Sequence, residues 1–147
     1  MTDIEKSSPK PAQATIPLVT GFMAGEVHVD GQCMPFESSY VYADQNAEMF
    51  RFFGNMEIEG NPGDFTGIEV RLKPRTVESG GYTVGVDNVE ISYVTPGYHV
   101  YQAKSGFVDF VRNDNLYMIF GAVRADFEID GKPASICVSY YIRSWNP

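Results

Sequence analysis

The sequence predicts an all-β fold, an antiparallel β-sandwich of roughly nine or ten strands, with a closed β-barrel as the alternative. Apolar residues alternate with polar ones along most of the chain after Gly21, which is the pattern of strands with one buried face. Turn-forming residues fall between these runs, and ten Phe and nine Tyr suit pleated strands. No stretch has a helical period that would supply the crossovers of a parallel sheet.

Three segments show the alternation most clearly, at 26–30, 68–73 and 123–130. In the last of these, four apolar residues alternate with four charged ones, so the charges are expected to face water. The pairs Asp30-Gly31 and Asp130-Gly131 favour two-residue hairpin turns with positive φ. Each pair therefore predicts two strands joined as a hairpin.

Longer loops are predicted at 60–64, 79–81 and 96–97, where Gly combines with Pro, Asn, Asp or Ser. The long strands around 47–59 and 115–129 each contain one glycine, Gly54 and Gly121. A glycine within a strand predicts a bulge or a sharp bend. A single helical turn is predicted at 44–48.

The chain divides into a Pro-rich extended arm at 1–20 and one β domain at 21–147, since its length suits a single domain. The first seventeen residues lack the apolar core of a secretory signal, and no apolar run approaches a membrane span. The cytoplasm is the default compartment, and an exported or particle-associated form stays open.

A net charge of −8 and a pI near 4.6 repel phosphate backbones and anionic lipids, so neither a nucleic acid nor a membrane is an expected partner. The densest basic stretch, 71–75, is interpreted as the polar face of a strand running into a loop. Cys33 and Cys137 form no CxxC motif, so neither a zinc site nor a redox motif is predicted. Two free thiols are favoured over a disulfide, and oligomeric state stays open.

The sequence contains no recognisable catalytic centre. Its two histidines, His28 and His99, are far apart and are interpreted as surface residues, and nucleophile and phosphate-binding motifs are absent. No cofactor or metal ion is expected. The run at 112–115 has oxygen donors but lacks the glycine and distant glutamate of a calcium loop, so it is interpreted as a turn.

Two pairs of carboxylates have the spacing that glycoside hydrolysis would need. Glu57 and Glu59 are expected on one strand face, as are Asp126 and Glu128. Because nineteen acidic residues produce such pairs freely, solvated faces are the favoured interpretation. A small glycoside hydrolase is therefore the weakest of three functional hypotheses.

The strongest functional signal is the abundance of tyrosine, because Tyr and Trp combine apolar area with a polar group. The leading hypothesis is a non-enzymatic module that binds a protein or a glycan through exposed aromatic residues and loops. The expected binding residues are Tyr93, Tyr98, His99, Tyr101 and Trp145. A second hypothesis is a structural subunit of a larger assembly, such as a virion or a secretion-type particle, that uses the N-terminal arm. A homo-oligomer formed through this arm is left open as well.

The order of elements resembles that of bacterial β-sandwich domains of unknown function. The resemblance rests on the early VDG hairpin at 29–31, GGYTV at 80–84, SGFVDF at 105–110 and FEIDG at 127–131. It implies a sandwich fold and transfers no catalytic residue.

Overall fold

The computed structural model describes residues 20–61 and 63–143, which form two antiparallel β-sheets packed face to face. The predicted β-sandwich is confirmed, and the closed barrel is wrong because each sheet ends in two edge strands. The strands are β1 (Thr20–Val29), β2 (Gln32–Glu37), β3 (Tyr40–Gln45), β4 (Phe50–Glu57), β5 (Phe65–Leu72), β6 (Gly80–Thr83), β7 (Val89–Thr95), β8 (His99–Gln102), β9 (Ser105–Asn113), β10 (Met118–Ile129) and β11 (Lys132–Arg143). Within this part of the chain, no helix has the length and hydropathy to cross a bilayer.

The six-stranded sheet has the order β2-β1-β11-β10-β9-β6, and the five-stranded sheet has the order β3-β4-β5-β7-β8. The eleven strands of the described residues exceed the predicted number, since β6 and β8 have four residues each and are too short to show alternation. The predicted arm at 1–20 lies outside the described residues except for Thr20, which begins β1.

The two predicted hairpin turns are confirmed. Asp30 and Gly31 have φ values of 49° and 84°, and Asp130 and Gly131 have values of 52° and 79°, as a type I′ turn requires. The prediction of a loop at 79–81 is wrong in part, because the strand β6 begins at Gly80.

The helical turn predicted at 44–48 is also wrong. Strand β3 continues to Gln45, and the side-chain oxygen of Asn46 then accepts hydrogen bonds from the backbone N–H groups of Glu48 (2.7 Å) and Met49 (3.0 Å). An asparagine that bonds to the backbone ahead of it offers the chain an alternative to a helix.

Strand pairing continues without a break through Gly54 and Gly121, so neither glycine forms the predicted bulge. Each glycine instead permits a close approach. A Cβ atom on Gly54 would lie 2.9 Å from the Cβ of Met23, and one on Gly121, where φ is +155°, would lie 1.8 Å from the carbonyl oxygen of Asp109.

Aromatic rings join the two sheets in the core. The ring of Phe52 on β4 lies with its centroid 4.4 Å from that of Tyr140 on β11 and 6.2 Å from that of Phe110 on β9. The Tyr140 hydroxyl donates a 2.8 Å hydrogen bond to the carbonyl oxygen of Asp109. Burial, reinforced by the charge of Asp109, raises the pKa of Tyr140 far above its usual value.

Candidate functional site

A group of aromatic side chains lies on the outer face of the five-stranded sheet. We call this surface the aromatic face, and its rings belong to Tyr40, Tyr42, Phe53, Phe65 and Tyr98. Tyr40 is 54% exposed and Tyr98 72% exposed. The surface therefore presents rings to solvent across several neighbouring strands.

Alternation along β3 explains why its tyrosines point outward. Val41 and Ala43 are buried in the core, so Tyr40 and Tyr42 must face the opposite side of the sheet. The same rule applies to β4, where Phe52 is buried and Phe53 is left on the outer face.

Three of these rings contact one another. The centroids of Tyr40 and Tyr42 are 6.3 Å apart with their planes at 8°, and Phe53 lies 6.1 Å from Tyr40 and 5.7 Å from Tyr42. These separations are typical of interacting aromatic side chains. Together the three rings form one continuous apolar platform beside the edge of the sheet.

A shallow pocket of about 170 Å³ adjoins this platform. Its lining residues are Arg51, Phe53, Asn55, Phe65, Gly67, Ile68, Glu69, Val94 and Tyr98. A Cβ atom on Gly67 would lie 2.4 Å from the side-chain oxygen of Asn55, so the lack of a side chain on Gly67 leaves room for the Asn55 amide in its present position. Three other surface concavities, beside Asn46, Glu90 and Asp114, are lined without an aromatic ring.

Paired charges border the platform. The Arg51 guanidinium lies 5.4 Å from the centre of the Phe53 ring and donates two hydrogen bonds to Asp44, of 3.0 and 2.6 Å. The hydrogen bonding to Asp44 is the main reason that the pKa of Arg51 is raised, although burial partly opposes it. Arg51 and Arg71 also reach opposite oxygens of Glu69, at 3.5 and 3.3 Å.

One polar group at this border lacks a partner. The Nε atom of Arg71 is shielded from solvent and has no hydrogen-bond partner among the described residues. A buried donor without an acceptor is costly, and such groups in native structures call for an explanation. Arg71 lines the concavities beside Asn46 and Glu90 and does not line the pocket of the aromatic face.

The turn before β8 holds Tyr98 in an uncommon backbone conformation, with a φ of 61°. The carboxylate of Asp64 accepts hydrogen bonds from the backbone N–H groups of Gly97 and Phe65, both at 3.1 Å. The N–H of Tyr98 donates to the carbonyl oxygen of Thr95 at 3.1 Å. These bonds fix the turn to the start of β5 and keep Tyr98 at the pocket.

The structure separates the residues that the sequence grouped together. His99 pairs with Thr95 and Tyr101 pairs with Tyr93, which places their side chains on the core-facing side of the sheet, while Tyr98 lines the outer pocket. The Tyr101 hydroxyl donates to a carboxylate oxygen of Asp130 at 3.2 Å, and desolvation followed by that charge raises its pKa.

Tyr93 belongs to the core, since it is only 5% exposed. Its hydroxyl and the carbonyl oxygen of Val94 each lie 2.9 Å from the hydroxyl oxygen of Thr66. A hydroxyl has one hydrogen, so Thr66 donates to the carbonyl and accepts from Tyr93. Trp145, the remaining predicted residue, lies outside the described residues.

The platform residues Tyr40, Tyr42, Phe53 and Arg51 were not among the predicted binding residues. A signal exists in the sequence, because β3 and β4 have apolar or aromatic residues on both alternating sets of positions. One set must face outward, and the alternation does not show which set of β3 this is, because the packing of the second sheet decides it.

The carboxylate pairs are not arranged in a groove. Glu57 ends β4 and Glu59 lies in the following turn, so the expectation that they share a strand face is wrong. Asp126 and Glu128 do share a face, and they are exposed on the outer side of the six-stranded sheet. The turn predicted at 112–115 is wrong in part, because Arg112 and Asn113 end β9 and the turn covers 114–117. The amide oxygen of Asn113 accepts a hydrogen bond from the N–H of Leu116 at 3.2 Å.

Comparisons with protein-family models, curated proteins and solved structures found no match to this chain. The resemblance to bacterial β-sandwich domains therefore stays a prediction. The function is inferred from the chemistry of the aromatic face.

Proposed function

We propose that this protein is a non-enzymatic binding module that recognises a glycan through the aromatic face. The mutual contact of Tyr40, Tyr42 and Phe53 on an outward-facing surface carries this proposal. The C–H face of a sugar ring is apolar and slightly positive, so it packs well on the negative face of an aromatic ring.

The polar groups beside the platform suit sugar hydroxyls. Arg51 and Glu69 both line the pocket, where Arg51 supplies N–H donors and Glu69 supplies acceptors. Because these charges are mutually paired, the site favours a neutral ligand over a strongly anionic one. The net charge of −8 also disfavours an anionic ligand.

The dimensions of the site suit part of a polymer. Pockets for drug-sized ligands occupy roughly 300–1,000 Å³, whereas this pocket holds about 170 Å³. A single sugar ring would occupy the pocket, between Phe53 and Tyr98, and neighbouring units would cover Tyr40 and Tyr42. We therefore expect oligosaccharides to bind better than the corresponding monosaccharides.

A glycan array with the full-length protein, followed by calorimetric titration of the best ligand, tests this proposal. Phe53→Ala and Tyr98→Ala are each expected to weaken binding by about tenfold, the equivalent of 1.4 kcal/mol. Absence of binding to every glycan would refute the proposal.

Phe120→Ala is the matched control, since Phe120 is 41% exposed on the outer face of the other sheet. The affinity of the Phe120→Ala variant for the glycan is expected to equal that of the unmodified protein. An equal loss in Phe120→Ala and Phe53→Ala would mean that the aromatic face is not the binding surface.

An exposed apolar row favours a second candidate, a subunit of a homo-oligomer. Phe22, Tyr141 and Phe120 lie side by side on β1, β11 and β10, and Phe22 is 46% exposed. This row is beside Thr20, the first residue of β1, and residues 1–19 precede Thr20 in the sequence, so the arm of a second copy is the proposed occupant. Light scattering of the full chain and of a chain starting at Thr20 tests it, because a monomer in both would exclude this assembly.

A further inference from the structure

Three side chains with metal-binding atoms lie together on the outer face of the six-stranded sheet. Glu26 and His28 are two residues apart on β1, so they share a face. The two-residue turn at Asp30-Gly31 fixes the register of β1 with β2 and places Cys33 directly opposite His28. A local turn thus brings a carboxylate, an imidazole and a thiol to one place.

The three groups are close enough to share an ion. The Nε2 atom of His28 lies 3.3 Å from a carboxylate oxygen of Glu26, and all three ligand atoms lie within 4.8 Å of one another. Bonds of roughly 2.0–2.3 Å to a tetrahedral zinc ion place its ligand atoms about 3.3–3.8 Å apart. Rotation of these solvent-accessible side chains by small amounts closes the remaining gap.

We propose that Glu26, His28 and Cys33 bind a zinc ion, with the fourth position open to water or to an external ligand. One nitrogen, one oxygen and one sulfur donor suit zinc, whereas magnesium and calcium prefer oxygen donors alone. The carboxylate and the thiolate together balance the charge of a divalent cation. Neither histidine spacing nor a CxxC motif signals this site, because the third ligand comes from the partner strand.

The second cysteine provides an internal control. Cys137 pairs with Glu26 from β11, on the other side of β1 from Cys33, and is also exposed. It is not part of the three-residue cluster. A general affinity of exposed thiols for metal would affect both cysteines equally, whereas the proposed site depends on Cys33.

Titration of the reduced full-length protein with Zn²⁺ against a chromophoric chelator, and with Co²⁺ by absorption, tests the proposal. We expect one ion per chain and a thiolate-to-cobalt charge-transfer band. Loss of a partner that merely orients a ligand costs about 10- to 100-fold in affinity, so Cys33→Ser and His28→Gln are each expected to cost at least as much.

The charge-transfer band is expected to disappear in Cys33→Ser and to persist in His28→Gln and Cys137→Ser. Cys137→Ser is expected to keep the affinity of the unmodified protein. Absence of the band in the unmodified protein, one ion per two chains, or equal weakening by both cysteine substitutions would overturn the proposal. Thermal unfolding without metal verifies that each variant is folded.

Discussion

Arg112 and Arg51 have similar surroundings but different relations to the rest of the protein. The guanidinium of Arg112 lies 4.7 Å from the centre of the Phe50 ring, and that of Arg51 lies 5.4 Å from the centre of the Phe53 ring. Each also makes a 2.6 Å hydrogen bond to an aspartate. The same combination of a cation, a ring and a carboxylate therefore occurs twice.

The two sites differ in what else they contact. Arg112 is 9% exposed in its side chain and donates to the carbonyl oxygens of Arg75 and Val77 and to the side-chain oxygen of Gln45. It thereby joins the loop after β5 to both sheets. Arg51 is 35% exposed and lines the pocket of the aromatic face. Arg112 is thus committed to the fold, whereas Arg51 still presents a surface to a ligand.

The largest expected effect is that of Arg112→Met. The substitution leaves the carbonyl oxygens of Arg75 and Val77 without this donor and releases the loop at 73–79, so we expect a loss of about 3 kcal/mol in the free energy of unfolding. Denaturant unfolding measures it. Arg112→Lys is expected to recover little, because an ammonium group cannot reach several acceptors in the plane of a guanidinium. A loss below about 1 kcal/mol for Arg112→Met would contradict the conclusion that Arg112 is committed to the fold.

Tyr140 tests how burial contributes to stability near the rings of Phe50 and Phe53. Its ring packs on that of Phe52, which lies between these two residues in the sequence. Its pKa is raised in the folded state and is about 10 when unfolded. The contribution of this pKa difference to the free energy of unfolding is therefore complete below pH 10. It is lost as the pH rises further, at about 1.4 kcal/mol per pH unit.

Tyr140→Phe has no hydroxyl to ionise at this position, so the free energy of unfolding of the variant is expected to fall less steeply above pH 10. At neutral pH it is expected to lose about 1 kcal/mol through the missing hydrogen bond to Asp109. Unfolding curves measured from neutral to alkaline pH give both quantities. Parallel alkaline slopes would show that Tyr140 does not govern this loss.

Arg51→Met is expected to separate stability from binding. Its ion pairs are partly exposed, so the free energy of unfolding is expected to fall by about 1 kcal/mol or less. Affinity for a glycan ligand of the aromatic face is expected to fall in the same variant, as measured by calorimetry. A loss of stability equal to that of Arg112→Met would mean that Arg51 is committed to the fold in the same way as Arg112.

The smallest expected effect is that of Lys104→Met. Lys104 lies between β8 and β9, its Nζ atom is 4.0 Å from a carboxylate oxygen of Glu128 on β10, and both side chains are exposed. Surface pairs of this kind contribute little, so unfolding and glycan affinity are both expected to be unchanged. A measurable loss in either would mean that charge alone, without a ring or burial, matters on these faces.

The sequence predicts the inner faces of this protein better than its outer ones. Alternation at 123–130 predicts a buried set directly, and an Asp-Gly pair specifies a turn from two residues. By contrast, the acceptors of Arg112 lie 35, 37 and 67 residues away in the chain, so its run of polar neighbours indicates only a turn.

The aromatic face is hidden for a related reason. Tyr40 and Tyr42 on β3 carry the same apolar signal as core residues, and only the packing of the second sheet decides which side becomes the surface. Cys33 is an intermediate case. The turn at Asp30-Gly31 predicts that it pairs with His28, but the closeness of the Glu26 carboxylate depends on side-chain conformation.

The pairing of β1 with β11 has a consequence for the order of folding. Their register joins residues more than a hundred positions apart, from Thr20 with Arg143 to Val29 with Ala134. During synthesis, β1 has β2 beside it early, but its other edge stays open until β11 has been made. The entropy of closing so long a loop slows this step. We expect the six-stranded sheet to be completed late, with β1 open to pairing with other chains until then.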